Sequence, residues 1–117
     1  MGDETWEEIL FSGRNDERHL EKLRSYTLKP TKRFRKDVRR LKRANVDLRK
    51  MERVLQILAS GRALPANYRD HALHGPLAGR RECHIAPDWL LLYRKDDDRL
   101  LLLLLRTGDH RRALGVE

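Results

Sequence analysis

Six consecutive leucines, Leu100 to Leu105, constrain this chain more than any other stretch. A run that apolar must be buried, yet it falls far short of the roughly 20 residues that cross a bilayer. Asp96-Asp97-Asp98 stands before it and Arg106-Thr107-Gly108 after it, so turns close both ends. Leucine serves helix or strand equally, but the short length and the turns favour a central strand buried on both faces. At 117 residues, one domain builds around such a strand.

The hydrophobic period supplies its neighbours. Phe34, Val38 and Leu41 recur at helical spacing after Pro30-Thr31, a helix start. Asn45 or Asp47 then caps a second helix whose buried side is Leu48, Met51, Leu55 and Leu58, widened by Val54 and Ile57 and stopped at Gly61. The short link between the two predicts an antiparallel hairpin. Tyr26 to Leu28 is a short strand candidate, and residues 62–79 read as loop with a short strand near His71. From Arg80 the period becomes two: Cys83 and Ile85 face one way, Glu82 and His84 the other. Trp89 to Tyr93 resumes as a strand after Pro87-Asp88. The expected fold class is α+β, a helix pair on one face of a small antiparallel sheet.

Charge divides the chain in two. Residues 1–25 carry seven acidic and four basic side chains, a net of −3, whereas the remainder carries +11. The first part reads as an acidic helical extension, with Thr5 and Glu8 spaced as a capping box. It is either an amphipathic segment packed on the body or a cover for a basic groove. The predicted helix over residues 32–43 holds eight cations in twelve positions, opposed only by Asp37. Such crowding repels itself and calls for a polyanion, most simply nucleic acid. One cysteine excludes an internal disulfide and fits a reducing compartment. With no secretory signal and no spanning segment, the expected location is the cytoplasm, with no membrane partner.

Four of the five histidines fall between His71 and His110. RNA carries its own nucleophile, the 2′-hydroxyl. Cutting it needs a proton acceptor, a proton donor and cations for the phosphorane, work that histidine and arginine perform near neutral pH. His71, His84 and His110 are the proton-carrier candidates, Arg81 and Arg106 the phosphate ligands, and Trp89 or Tyr93 a stacking surface for a base. His74, in a Gly-Pro loop, is a weaker candidate. Each residue also has an ordinary reading: His84 as a half-buried strand residue, Trp89 as core, Arg106 as an ion-pair partner, Asp88 as a turn cap. A metal centre is the rival chemistry, but no C-x-x-C or H-E-x-x-H spacing is present, and a basic body repels a divalent cation. The chemistry is therefore expected to need no metal and no other cofactor.

The segments L-P-A-N-Y-R-D-H-A-L-H-G, G-R-R-E-C-H-I-A-P-D-W-L-L-L-Y and R-T-G-D-H together resemble the YafQ branch of the RelE-like toxins of bacterial type II toxin–antitoxin systems. The likeness runs from about Tyr26 to the C-terminus, which sets an extension at 1–25 apart from a toxin domain at 26–117. It implies a RelE-like, microbial-RNase-type fold. The implied activity is an endoribonuclease that cuts mRNA at the ribosome, with a cognate antitoxin as partner. It also implies catalytic roles for His71, His84, Asp88 and His110, an aromatic neighbour at Trp89, and basic positions at Arg81 and Arg106. Leu114 departs from the family, which has an aromatic residue there, and Asp109 stands where a small hydroxyl residue is common. Leu114 sustains an alternative: a weak or inactive relative that binds RNA or antitoxin without cutting.

Overall fold

The computed structural model describes residues 25–109. In chain order these form β1 (Thr27–Pro30), α1 (Lys32–Arg43), α2 (Arg49–Ala59), β2 (His71–Ala72), β3 (Arg81–Ala86), β4 (Trp89–Asp96) and β5 (Leu101–Gly108). The strands make one sheet in the order β1-β5-β4-β3-β2. Phe34, Val38, Met51, Val54, Leu55 and Leu58 from the helices share one core with Cys83, Ile85, Leu91, Tyr93, Leu102 and Leu104 from the sheet.

The helices form where the period placed them, and their ends have identifiable causes. Thr31 caps α1 by accepting the Phe34 amide at 3.1 Å, while its own hydroxyl proton is shared between the Leu104 and Leu105 carbonyls. That one side chain starts the helix and ties it to β5. Asn45 closes α1 in the left-handed region at φ 61°. Asp47 accepts the Arg49 amide at the start of α2, and Gly61 at φ 82° ends it.

Two expectations need correction. The sheet is mixed: β2, β3, β4 and β5 run antiparallel, but β1 lies parallel to β5, Thr27 opposite Leu101. β1 joins from the far end of the chain, and its direction follows from where Thr31 docks α1 on β5. The leucine run does form an interior strand, but not one buried on both faces. Leu102 and Leu104 are fully buried, whereas Leu101, Leu103 and Leu105 are half-buried. The strand buried on both faces is β4, where Trp89 through Tyr93 are all buried. The acidic extension, His110 and Leu114 lie outside the described residues.

Candidate functional site

β3 divides its side chains between the two faces of the sheet. Cys83 and Ile85 enter the core beneath the helices, so Glu82 and His84 lie on the opposite face. His71 of β2 pairs in register with Glu82, which puts it on that same face. His71 and His84 are then diagonal neighbours across the β2–β3 pair, a relation that spans roughly 7–8 Å. A bulge between His84 and Ala86 breaks the β3–β4 ladder beside His84.

The two histidines have different surroundings. His71 is 49 % exposed, with Nδ1 2.6 Å from the Arg69 carbonyl and Nε2 3.1 Å from Glu82 Oε1. His84 is half-buried, with no hydrogen bond or ion pair to any described residue, in a cavity of about 380 Å³ bordered by Asn67, Tyr68, Arg69 and Pro87. Arg69 touches both environments, through its carbonyl and its place on the cavity wall. Its φ of 51° lies in the left-handed region, a conformation that costs roughly 1–3 kcal/mol for an ordinary residue. Its exposed guanidinium forms no hydrogen bond or ion pair with the described residues. Arg69 is inconspicuous in the sequence, since nothing in N-Y-R-D-H sets it apart from two dozen other cations.

The two arginines expected to hold phosphate are engaged elsewhere. Arg81 points to the helix side, where it meets Asp70 Oδ2 and the Tyr93 hydroxyl, both at 3.3 Å. The Tyr93 hydroxyl donates to Asp70 Oδ1 at 2.6 Å. Burial opposes the charge on Arg81, but its bonds to Tyr93 and Asp70 outweigh that and raise its pKa. Burial, with Asp70 holding the proton, pushes the Tyr93 phenol well up. This trio clamps Asp70 on one face and so presents His71, the next residue, on the other. Arg106 grips the buried Asp37 of α1 with two nitrogens, Nε at 2.9 Å and Nη2 at 3.3 Å. Arg40 and the Thr107 amide complete the shell of that carboxylate.

Trp89 is core, 8 % exposed, its indole N–H donated to the Thr107 hydroxyl at 3.0 Å. The ring supports the sheet and is not presented as a stacking surface. Tyr93 is buried likewise. Asp88, exposed on the β3–β4 turn, borders a second cavity of about 340 Å³ with Arg40, Trp89, Thr107 and Asp109. The structure thus brings His71 and His84 together beside Arg69, and sets Asp88 on a neighbouring cavity that the end of β5 also reaches. His74 is exposed in its loop. Among the described residues, no trio of His, Cys, Asp or Glu converges as metal ligands would, and no helix is long and apolar enough to cross a membrane.

Residues 26–115 match the family model described as a bacterial toxin of type II toxin–antitoxin systems, YafQ. The mRNA interferase toxin YafQ of Escherichia coli K12 is 36 % identical over 83 residues, which is 70 % of this chain and 88 % of the relative. The crystal structure of YafQ from E. coli BL21(DE3) superposes with a TM-score of 0.67 at 32 % identity, over 73 % of this chain and 93 % of that one. A metal-bound toxin from Helicobacter pylori gives 0.68 at 38 % identity, over 73 % and 94 %. The E. coli DinJ–YafQ toxin–antitoxin complex gives 0.67 at 33 % identity, over 74 % and 93 %.

Proposed function

Because this chain belongs to the YafQ family of type II toxins, we propose that it is an endoribonuclease that cuts mRNA at the ribosome and is held in check by a cognate antitoxin. The E. coli relatives are mRNA interferases, and one is seen with the antitoxin DinJ. The observation that carries the reading to this chain is the meeting of His71 and His84 on one sheet face beside Arg69, which pairs with no described residue.

The reaction runs without a metal. The 2′-oxygen attacks phosphorus, the bond to the 5′-oxygen breaks, and a 2′,3′-cyclic phosphate remains. His84, with no hydrogen bond or ion pair to any described residue, is the candidate to take the 2′ proton. His110 supplies the departing oxygen with its proton, and Asp88 orients it. Arg69 binds the phosphate where Arg81 and Arg106 are committed to Asp70 and Asp37. Trp89 and Arg106 act as supports, holding the end of β5 from which His110 follows. The work is done in the cytoplasm, where translating ribosomes are found.

Cleavage of a translated message, read by primer extension, tests this. His84→Ala and His110→Ala are each expected to lower the rate about 10²–10⁴-fold. Parent-like cutting by both would remove the site. A second reading, a binder that does not cut, stands on Leu114 in place of an aromatic residue. It requires message to stay intact at protein concentrations that saturate the ribosome.

A further inference from the structure

A cavity of about 560 Å³ opens between the end of α2 and strands β2, β3 and β4, on the sheet face away from His71 and His84. Four cations line it: Arg62 after α2, Arg80 and Arg81 at the start of β3, and Lys95 on β4. Only two carboxylates on its wall oppose them, and both have partners. Asp70 is held by Arg81 and the Tyr93 hydroxyl, and Asp97 accepts the Tyr26 hydroxyl proton. Neither Arg80 nor Lys95 has an ion-pair partner among the described residues. Arg80 reaches only the Pro76 carbonyl, at 3.5 Å, and Lys95 Nζ stands 5.1 Å over the Tyr26 ring. Cations gathered in one hollow repel one another, so the hollow is a receptor for an anion. Leu58, Ala63 and the Tyr93 ring add an apolar part to its wall.

The chain enters the described body beside this cavity. The Tyr26 amide donates to the Ala59 carbonyl at the end of α2, at 2.7 Å, and its side chain meets Asp97 and Lys95, both on the cavity wall. The segment that precedes Tyr26 has the matching chemistry. Asp3, Glu4, Glu7 and Glu8 surround Trp6 in D-E-T-W-E-E, and no lysine or arginine occurs before Arg14. Carboxylates suit the guanidinium and ammonium groups, and an indole suits the apolar wall.

We infer that the acidic run Asp3–Glu8 docks in this cavity, with its carboxylates on Arg62, Arg80 and Lys95 and the Trp6 indole against Leu58 and Ala63. Residues 9–25 are the tether, and Ser12-Gly13 gives it a place to reverse. Pairs of exposed charges are individually weak. A tethered ligand needs little more, because its link holds it at a high effective concentration. The exposed cations of α1 are the rival receptor, but the chain enters beside the cavity. Docking there leaves the face of His71 and His84 open, so the run neutralises charge and does not plug the site. The inference does not depend on whether the chain cuts RNA.

The test is zero-length carbodiimide coupling of the full chain, which joins a carboxylate to a lysine amine only where the two touch. The monomer band is isolated after reaction at low protein concentration, digested and mapped by mass spectrometry. Links from residues 3–8 are expected on Lys95 at least about tenfold above those on Lys32, Lys36 and Lys42 of α1. Arg62→Gln with Arg80→Gln, both outside the core, is expected to cut the Lys95 link at least about threefold, as is about 0.5 M salt. Trp6 supplies a second reading, since the difference in acrylamide quenching between the parent and Trp6→Phe isolates this indole. It is expected to be shielded in the parent and open to quencher in the double arginine variant. Links that fall on α1 instead, links confined to a dimer band, or the absence of any Lys95 link overturn the inference. So do a Lys95 link and a Trp6 shielding that survive the arginine exchange.

Discussion

Asp37 shows how much a single residue organises here. Its carboxylate is 1 % exposed and takes donors from Arg106, Arg40 and the Thr107 amide, so α1 is bonded to the end of β5. Asp37→Asn would turn an N–H toward two guanidinium groups and strand their charge. The expected loss is about 3–5 kcal/mol, read from the urea midpoint. Cys83 gives a second prediction. Burial first, then the nearby Asp70 and Glu82 carboxylates, push its thiol up to about 12 from 9.0. A thiol-specific disulfide reagent at pH 8 should therefore leave it unmodified until the protein is unfolded. Because the folded value is raised, the stability linked to Cys83 is complete below about pH 9 and is lost as pH rises toward about 12. Alkaline melts of the parent and Cys83→Ala should converge over that window. The sequence shows Asp37 as the lone acid in a basic helix and Glu82 as an alternating polar strand residue, but not the partner of either. Asp37 meets Arg106 across 69 positions, a separation over which no local pattern carries information.

At the scale of elements, the helices were the legible part. A 3.6-residue stripe has one buried side, and Phe34, Val38, Met51, Val54, Leu55 and Leu58 all occupy it. The strands were half legible. β3 alternates visibly, but in β5 leucine at every position hides an alternation that the burial of Leu102 and Leu104 reveals. The cations of α1 face solvent, as binding to a polyanion would require: Lys32, Arg33, Arg35, Lys36, Arg39, Lys42 and Arg43 are exposed, while Arg40 also reaches Asp37. Exchanging Arg35, Lys36 and Arg39 for glutamine should weaken RNA binding without touching the His84 cavity. The slope of log affinity against log salt should shrink by roughly 0.7 per lost phosphate contact. A filter-binding series at several salt concentrations decides this; an unchanged slope would free α1 of any RNA role.

For the whole molecule, charge is segregated along the chain. Residues 1–25 bring a net −3 to a chain that is otherwise +11, and the family match begins at residue 26. If the acidic extension competes with RNA for the basic surface, a chain beginning at residue 26 should bind RNA more tightly and with steeper salt dependence. Equal affinity at low and high salt would sink that idea. What the sequence determined alone was whatever is local or periodic: two amphipathic helices, alternating strands closed by turns, and a basic body suited to nucleic acid. Family-specific motifs added His71 and His84 as partners, and both lie on one face of the sheet. Tertiary structure alone decided that β1 lies parallel to β5, that Arg81 and Arg106 are bound to Asp70 and Asp37, and that Arg69 and Glu82 flank His71. Which carboxylate claims which arginine depends on the closeness of groups far apart along the chain, and composition and spacing do not encode that closeness until the sheet assembles.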